Sequence, residues 1–375
     1  MTMMNRFPNY HGSKTIALPV HGDQSYRQGM MALAAAVLMM ASVHIAQAQT
    51  APFDRGSFVF TADEHGNSIS AIDLAAGSVE TMPIPVSPHN IQITADGTLL
   101  LAVGEPEEGH GHGESAGAHD GAEAKGRLLV LDPAGLASGV LDEIIVGAHP
   151  AHVVADQNGE RAYVTNAGDN TVSVVDLVAR KLVANIDTGR YPHGLRISPD
   201  GREIYVANVE DGTVSVIGTE GFTELARIPV GNTPVQVGFT PEGTRVYVSL
   251  RDENRVAVID TATRSMIGTI EVGRNPIQVY ATPDGRSVYV ANQGTDAEPA
   301  DTVSVIDVAS GRVVETIRTG MGAHGVVVSG DGAWVFVTNI ADGTVSAIEV
   351  ATGNVVASFP VGSGPNGITY RSPQP

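Results

Sequence analysis

The chain has 375 residues, 42% hydrophobic and only 17% charged, so it is long enough and apolar enough to bury a large core. It has no cysteine, which excludes disulfides, thiolate metal sites, CxxCH haem attachment and a lipid-modified cysteine anchor. Its formal net charge of −19 disfavours general nucleic-acid binding, because an acidic surface repels phosphate backbones.

Residues 1–48 have the form of an export signal. Arg27 precedes an apolar run from Met30 to Ala41, and Ala46-Gln47-Ala48 has the small-x-small pattern of a cleavage site. The run is too short to span a membrane comfortably, so no stable anchor is expected. The expected product, cut after Ala48, is periplasmic or secreted. Losing Arg6, Lys14 and Arg27 against Asp23 makes the mature chain more acidic still. Residues 49–56 read as a linker and 372–375 as a tail.

From residue 57 to 371 the chain repeats itself. A Gly recurs at 147, 189, 231, 273, 320 and 362, in steps of 42, 42, 42, 47 and 42 residues. A junction containing Pro follows it: Pro88, Pro150, Pro192, Pro234, Pro276 and Pro365, with Ala323 in the remaining slot. Each unit then offers a short apolar strand and a tight turn such as Asp96-Gly97, Asp200-Gly201 or Asp331-Gly332, whose Gly supplies positive φ. A second strand reads YVTN (163–166), YVAN (205–208), YVSL (247–250), YVAN (289–292) or FVTN (336–339). A third alternates, as in TVSVVD (171–176), and a fourth ends at the next Gly. Four strands in about 42 residues, repeated around a ring, predict a β-propeller blade.

These motifs resemble the YVTN-repeat (YncE-like) family of seven-bladed β-propellers, and the resemblance covers nearly all of residues 57–371. It implies an all-β ring of seven four-stranded antiparallel blades. Residues 57–85 supply only second to fourth strands and 367–370 only a first strand. The C-terminal strand is therefore expected to complete the N-terminal blade and lock the ring.

The histidines outside the presequence are His65, His89, His110, His112, His119, His149, His152, His193 and His324. All are expected in loops on one face of the ring. His89, His149, His152, His193 and His324 fall at fourth-to-first junctions, near the mouth of the central channel. His65 falls in the second-to-third loop of blade 1. His110, His112 and His119 fall in the same loop of blade 2, within an insert at 104–126 that includes GHGHGESAGAHDGAEAKG. Blades 5 and 6 carry Val235-Gln236 and Ile277-Gln278 instead, so the histidines form a sector. Imidazole and carboxylate donors without thiolate suit Zn²⁺, with Cu²⁺ or Ni²⁺ as alternatives. A junction histidine could equally cap a loop by bonding a carbonyl. The YVTN asparagines are expected to shape turns, and Trp334 and the strand tyrosines to pack between blades. The tight turns of the opposite face are expected to leave little room for a site.

The expected function is metal binding, as a chaperone or accessory factor. In broad organisation the chain resembles propeller-shaped periplasmic zinc-delivery chaperones with His-rich stretches, though no motif carries over residue by residue. Propeller enzymes and cofactor proteins are the alternative: sugar lactonases, the haem d1 domain of nitrite reductase and the copper domain of nitrous oxide reductase. No Ser-His-Asp or paired-carboxylate motif identifies catalytic residues. A third reading is an interaction scaffold. The expected partners are a metal ion and a periplasmic protein on the histidine-bearing face, with the chain itself a monomer.

Overall fold

The computed structural model describes residues 52–106 and 125–373. The expected export signal and His110, His112 and His119 lie outside the described residues, as does most of the insert. No helix among the described residues is long and apolar enough to cross a membrane.

The fold is all-β, with seven four-stranded antiparallel sheets. The innermost strands are Val86–Ile93, Pro150–Ala155, Pro192–Ile197, Pro234–Phe239, Pro276–Ala281, Ala323–Val328 and Pro365–Arg371, in blades 2 to 7 and then 1. Each packs against the innermost strand of the next blade, which closes a ring around a channel. Closure comes from the chain ends: Pro365–Arg371 pairs antiparallel with Phe58–Asp63, as the strand count requires.

The repeat motifs now have physical roles. In four blades an Asn sits at or near the end of the second strand and is fully buried: Asn166, Asn208, Asn292 and Asn339. Asn166 Nδ2 donates to Thr171 Oγ1 (3.0 Å) and Ser173 Oγ (2.9 Å), and its Oδ1 accepts from Gly147 N (3.0 Å). Each Asn thus ties the second strand to the third, rather than only shaping a turn. A Cβ at Gly147 would lie 2.5 Å from the Asn166 side chain, which explains why Gly recurs there.

In six of the seven blades the residue before the Pro slot takes a left-handed conformation: His149 (φ 48°), Tyr191 (56°), Thr233 (52°), Asn275 (50°), Gly322 (75°) and Gly364 (64°). The turn glycines also have positive φ, such as Gly97 (71°) and Gly201 (73°). Tyr163, Tyr205 and Tyr247 are buried between blades, and Tyr205 meets Phe239 of the next blade edge-on at 5.0 Å. Such burial contributes about 1.5–3 kcal/mol per large apolar side chain. Phe53, in the expected linker, is buried against Trp334 at 4.7 Å.

Candidate metal centre

Four of the five junction histidines are not in loops. His89, His152, His193 and His324 sit near the start of innermost strands, which therefore carry the site. The slot after the Pro position holds His89, Ala151, His193, Val235, Ile277, His324 and Asn366; the next holds Asn90, His152, Gly194, Gln236, Gln278, Gly325 and Gly367. The channel is narrow here. A Cβ at Gly194 would lie 2.3 Å from Gln236 Oε1, and one at Gly367 would lie 2.7 Å from Asn90 Cα.

His89, His152 and His193 bring one ligand atom each within 4.8 Å of one another. His89 Nε2 lies 3.1 Å from His193 Nε2. The other ring nitrogens fix the protons. His89 Nδ1 is 3.0 Å from Glu64 Oε1, which can only accept from it, so Nδ1 carries a proton. His193 Nδ1 is 3.2 Å from the Val235 carbonyl, with the same consequence. Both Nε2 atoms are then left as ligand positions facing one another. Two nitrogens on a tetrahedral Zn²⁺ at ~2.0–2.1 Å would be about 3.3 Å apart, close to what is found.

His152 is held differently. Gln236 Oε1 accepts from Val237 N (2.9 Å), which turns Gln236 Nε2 toward His152 Nδ1 (3.3 Å) as a donor. His152 therefore accepts at Nδ1 and carries its proton at Nε2. It becomes an Nε2 ligand only by changing tautomer and releasing Gln236. His324 stays out of the triad, with Nδ1 against the Asn366 carbonyl at 3.3 Å.

The electrostatics favour neutral rings at His152, His193 and His324. Burial and the neighbouring His89 lower the pKa of His193 to about 3 and of His324 to about 4. Burial, then His193, His89 and Arg196, put His152 well below its usual value. Burial pushes the Glu64 carboxyl up, but His89 outweighs it by charge and hydrogen bond. With Asn366 and His324 adding to that pull, Glu64 comes down to about 2. Asn366 Nδ2 donates to Glu64 Oε2 at 2.5 Å and holds the carboxylate against His89. Asn366 Oδ1 and Gln278 Nε2 are buried without a hydrogen-bond partner among the described residues, so the channel retains polar capacity.

Among the described residues, His65 and His149 do not join the cluster. His149 fills the left-handed slot, and its Nδ1 pairs with Glu105 Oε1 at 2.5 Å on the rim of the cleft. His65 packs at the ring closure, where a Cβ on Gly364 would lie 2.5 Å from its ring. The sequence reading missed Glu64, Asn366 and the role of Gln236. Asn366-Gly367 repeats the spacing of His193-Gly194 and His324-Gly325, which was a signal for Asn366. Glu64 lies just past the second strand of blade 1, and no repeat pattern pointed to it.

A YNCE-like β-propeller family model matches residues 218–372, and a 7-bladed β-propeller lactonase model matches residues 146–270. No curated protein matches the chain. Among solved structures, hydrazine synthase of Kuenenia stuttgartiensis is 22% identical with a TM-score of 0.63, over 76% of this chain and 90% of that one. A functionally unknown protein of Desulfotomaculum acetoxidans is 16% identical with a TM-score of 0.69, over 84% and 99%. A protein of Bacteroides uniformis, provisionally assigned as a 6-phosphogluconolactonase, is 17% identical with a TM-score of 0.66, over 85% and 100%. At these identities the likeness shows the fold alone. The chain is a seven-bladed β-propeller, similar over its C-terminal blades to YNCE-like propellers and over its middle blades to lactonase-type ones.

Proposed function

We propose that this protein is an exported metal-binding propeller that captures or hands over a divalent cation, with Zn²⁺ favoured over Cu²⁺ or Ni²⁺. The supporting observation is the 3.1 Å approach of His89 Nε2 and His193 Nε2, with both Nδ1 atoms directed at fixed acceptors. An acceptor behind each imidazole orients the ring and raises its basicity as a ligand, as second-shell carboxylates and carbonyls do at zinc sites. His152 is the third ligand once Gln236 lets go. The His110, His112 and His119 stretch would collect ions outside the channel, and a periplasmic partner would meet the same face.

Calorimetry and metal analysis test this. The purified protein is expected to bind Zn²⁺ at micromolar or lower concentration. Binding should survive replacement of residues 107–124 by a short linker and be lost in His89→Ala and His193→Ala. Absence of binding by the intact protein would overturn the reading.

A second reading, a lactonase-like propeller enzyme, is favoured by the family match over residues 146–270. It predicts lactone hydrolysis by the purified protein, and a screen of sugar lactones decides it.

A further inference from the structure

The channel holds a second, unlike group. Arg196 lies on the innermost strand of blade 4, three residues beyond His193 toward the face of the tight turns. Its Nη1 donates to the Leu195 carbonyl at 3.0 Å, and its guanidinium carbon lies 5.9 Å from the centre of the Tyr280 ring. Most arginines that approach a carboxylate here do so at the surface, such as Arg190 with Asp211 and Arg274 with Glu298. Arg196 makes no ion pair among the described residues.

Arg196 is half-buried, and a guanidinium that gives up part of its hydration without a counter-charge is destabilised unless another partner replaces the lost water. Arg196 borders a cavity that opens between the first-to-second turns of blades 4, 5 and 6. Ile197, Phe239, Val279, Tyr280 and Pro283 form apolar walls. The equivalent slot on blade 5 is Gly238, which places no side chain between Arg196 and Tyr280. This face was expected to be too tight for a site, yet the cavity is there.

The carboxylates on the three turns around the opening are engaged in those turns. Asp200 accepts from Ser198 Oγ (2.6 Å) and Arg202 N (3.1 Å), Glu242 from Thr244 Oγ1 (3.1 Å), and Asp284 from Thr282 Oγ1 (2.6 Å) and Arg286 N (3.0 Å). None of the three pairs with Arg196.

We propose that this cavity binds a small monocarboxylate with an apolar or aromatic body, its carboxylate on Arg196 and its body against Tyr280 and Phe239. The guanidinium fork matches a carboxylate in two-point geometry. The apolar walls select against small, fully hydrated anions. The site is separate from the histidine cluster and does not depend on a metal.

Benzoate, benzamide and inorganic phosphate are the probes, each titrated into the purified chain by ligand-observed NMR and calorimetry. Benzoate is expected to bind at least about tenfold more tightly than benzamide, the increment of one charge-assisted contact. Phosphate is expected to bind more weakly than benzoate. Arg196→Gln should abolish the preference for benzoate over benzamide, Arg196→Lys should retain part of it, and Tyr280→Leu should weaken both aromatic probes. His89→Ala with His193→Ala should leave benzoate binding unchanged. The proposal is overturned if benzoate does not bind, if benzamide binds as well, if phosphate binds as tightly, or if the double histidine variant loses benzoate. Should Arg196→Gln fail to fold, the benzoate-to-benzamide ratio of the unmodified protein still decides.

Discussion

His89 Nε2 and His193 Nε2 lie 3.1 Å apart although the residues are 104 positions apart in the chain and on blades that are not neighbours. With both Nδ1 atoms donating to Glu64 and Val235, two bare lone pairs would face each other across that gap. Something positive must sit between them: one shared proton, or a metal ion. Metal uptake should therefore expel about one proton, because both need the same lone pairs. Calorimetric titration of Zn²⁺ in buffers of different ionisation enthalpy measures this. Uptake without proton release would mean that the ion binds elsewhere.

At the proposed zinc site Glu64 would act through His89 rather than on the ion. Its carboxylate holds the Nδ1 proton and so keeps Nε2 free to ligate. Glu64→Gln retains shape but removes the charge, and about a 10–100-fold loss of zinc affinity is expected. An unchanged affinity in a folded variant would remove Glu64 from the site.

The ring was legible in the sequence because each repeat element answers a local demand. Asp-Gly turns need positive φ, the recurring Gly makes room for an Asn, and the missing first strand of blade 1 had to come from the C-terminus. The site was only partly legible. Histidines in the slot after the Pro could be counted, but which of them meet depends on distances across the channel. His149 looked equivalent to His152, yet it fills a left-handed backbone slot that Tyr191, Thr233 and Asn275 fill elsewhere. Glu64 and Arg196 were invisible because their significance lies in what they face on other blades.

The metal-free protein should lose stability from mildly acidic pH downward. His193 and His324 have folded values of about 3 and 4, below the ordinary 6.5, so the fold favours their neutral forms. Their contribution is complete above about 6.5 and is lost as pH falls toward 4 and then 3. Glu64, held at about 2 instead of 4.5, has the same sign in a lower window. Thermal melts of the metal-free protein between pH 8 and 4 should show the decline beginning near 6.5. In the variant with both His193 and His324 changed to Gln, the decline above pH 5 should flatten.

Asp63 has the opposite sign. It takes the buried slot that Asn fills in four other blades, accepting from Thr61 Oγ1 (2.7 Å) and Ser70 Oγ (2.6 Å). Burial outweighs these bonds and raises its pKa from 3.8 to about 6. The fold thus favours the protonated form, and this contribution is complete below 3.8 and lost as pH rises through 6. Asp63→Asn supplies the neutral group at every pH. It should stabilise the protein by on the order of 2 kcal/mol at pH 8 and by little at pH 4. Equal melting temperatures at pH 8 would show that the carboxylate is not penalised there.

The C-terminal strand should be indispensable. Pro365–Arg371 is the innermost strand of blade 1 and pairs with Phe58–Asp63 from the other end of the chain. It carries Asn366 to Glu64, buries Ile368, and stacks Tyr370 on Phe336 at 5.7 Å. Removing residues 365–375 would expose an unpaired edge along Phe58–Asp63 and open the ring between blades 7 and 2. The truncated chain should be insoluble or melt well below the intact protein, by about 10 °C or more if it folds at all. Adding the missing strand as a synthetic peptide should recover part of that loss. Circular dichroism melts with and without the peptide test this, and a truncated chain as stable as the intact one would show that closure does not hold the ring.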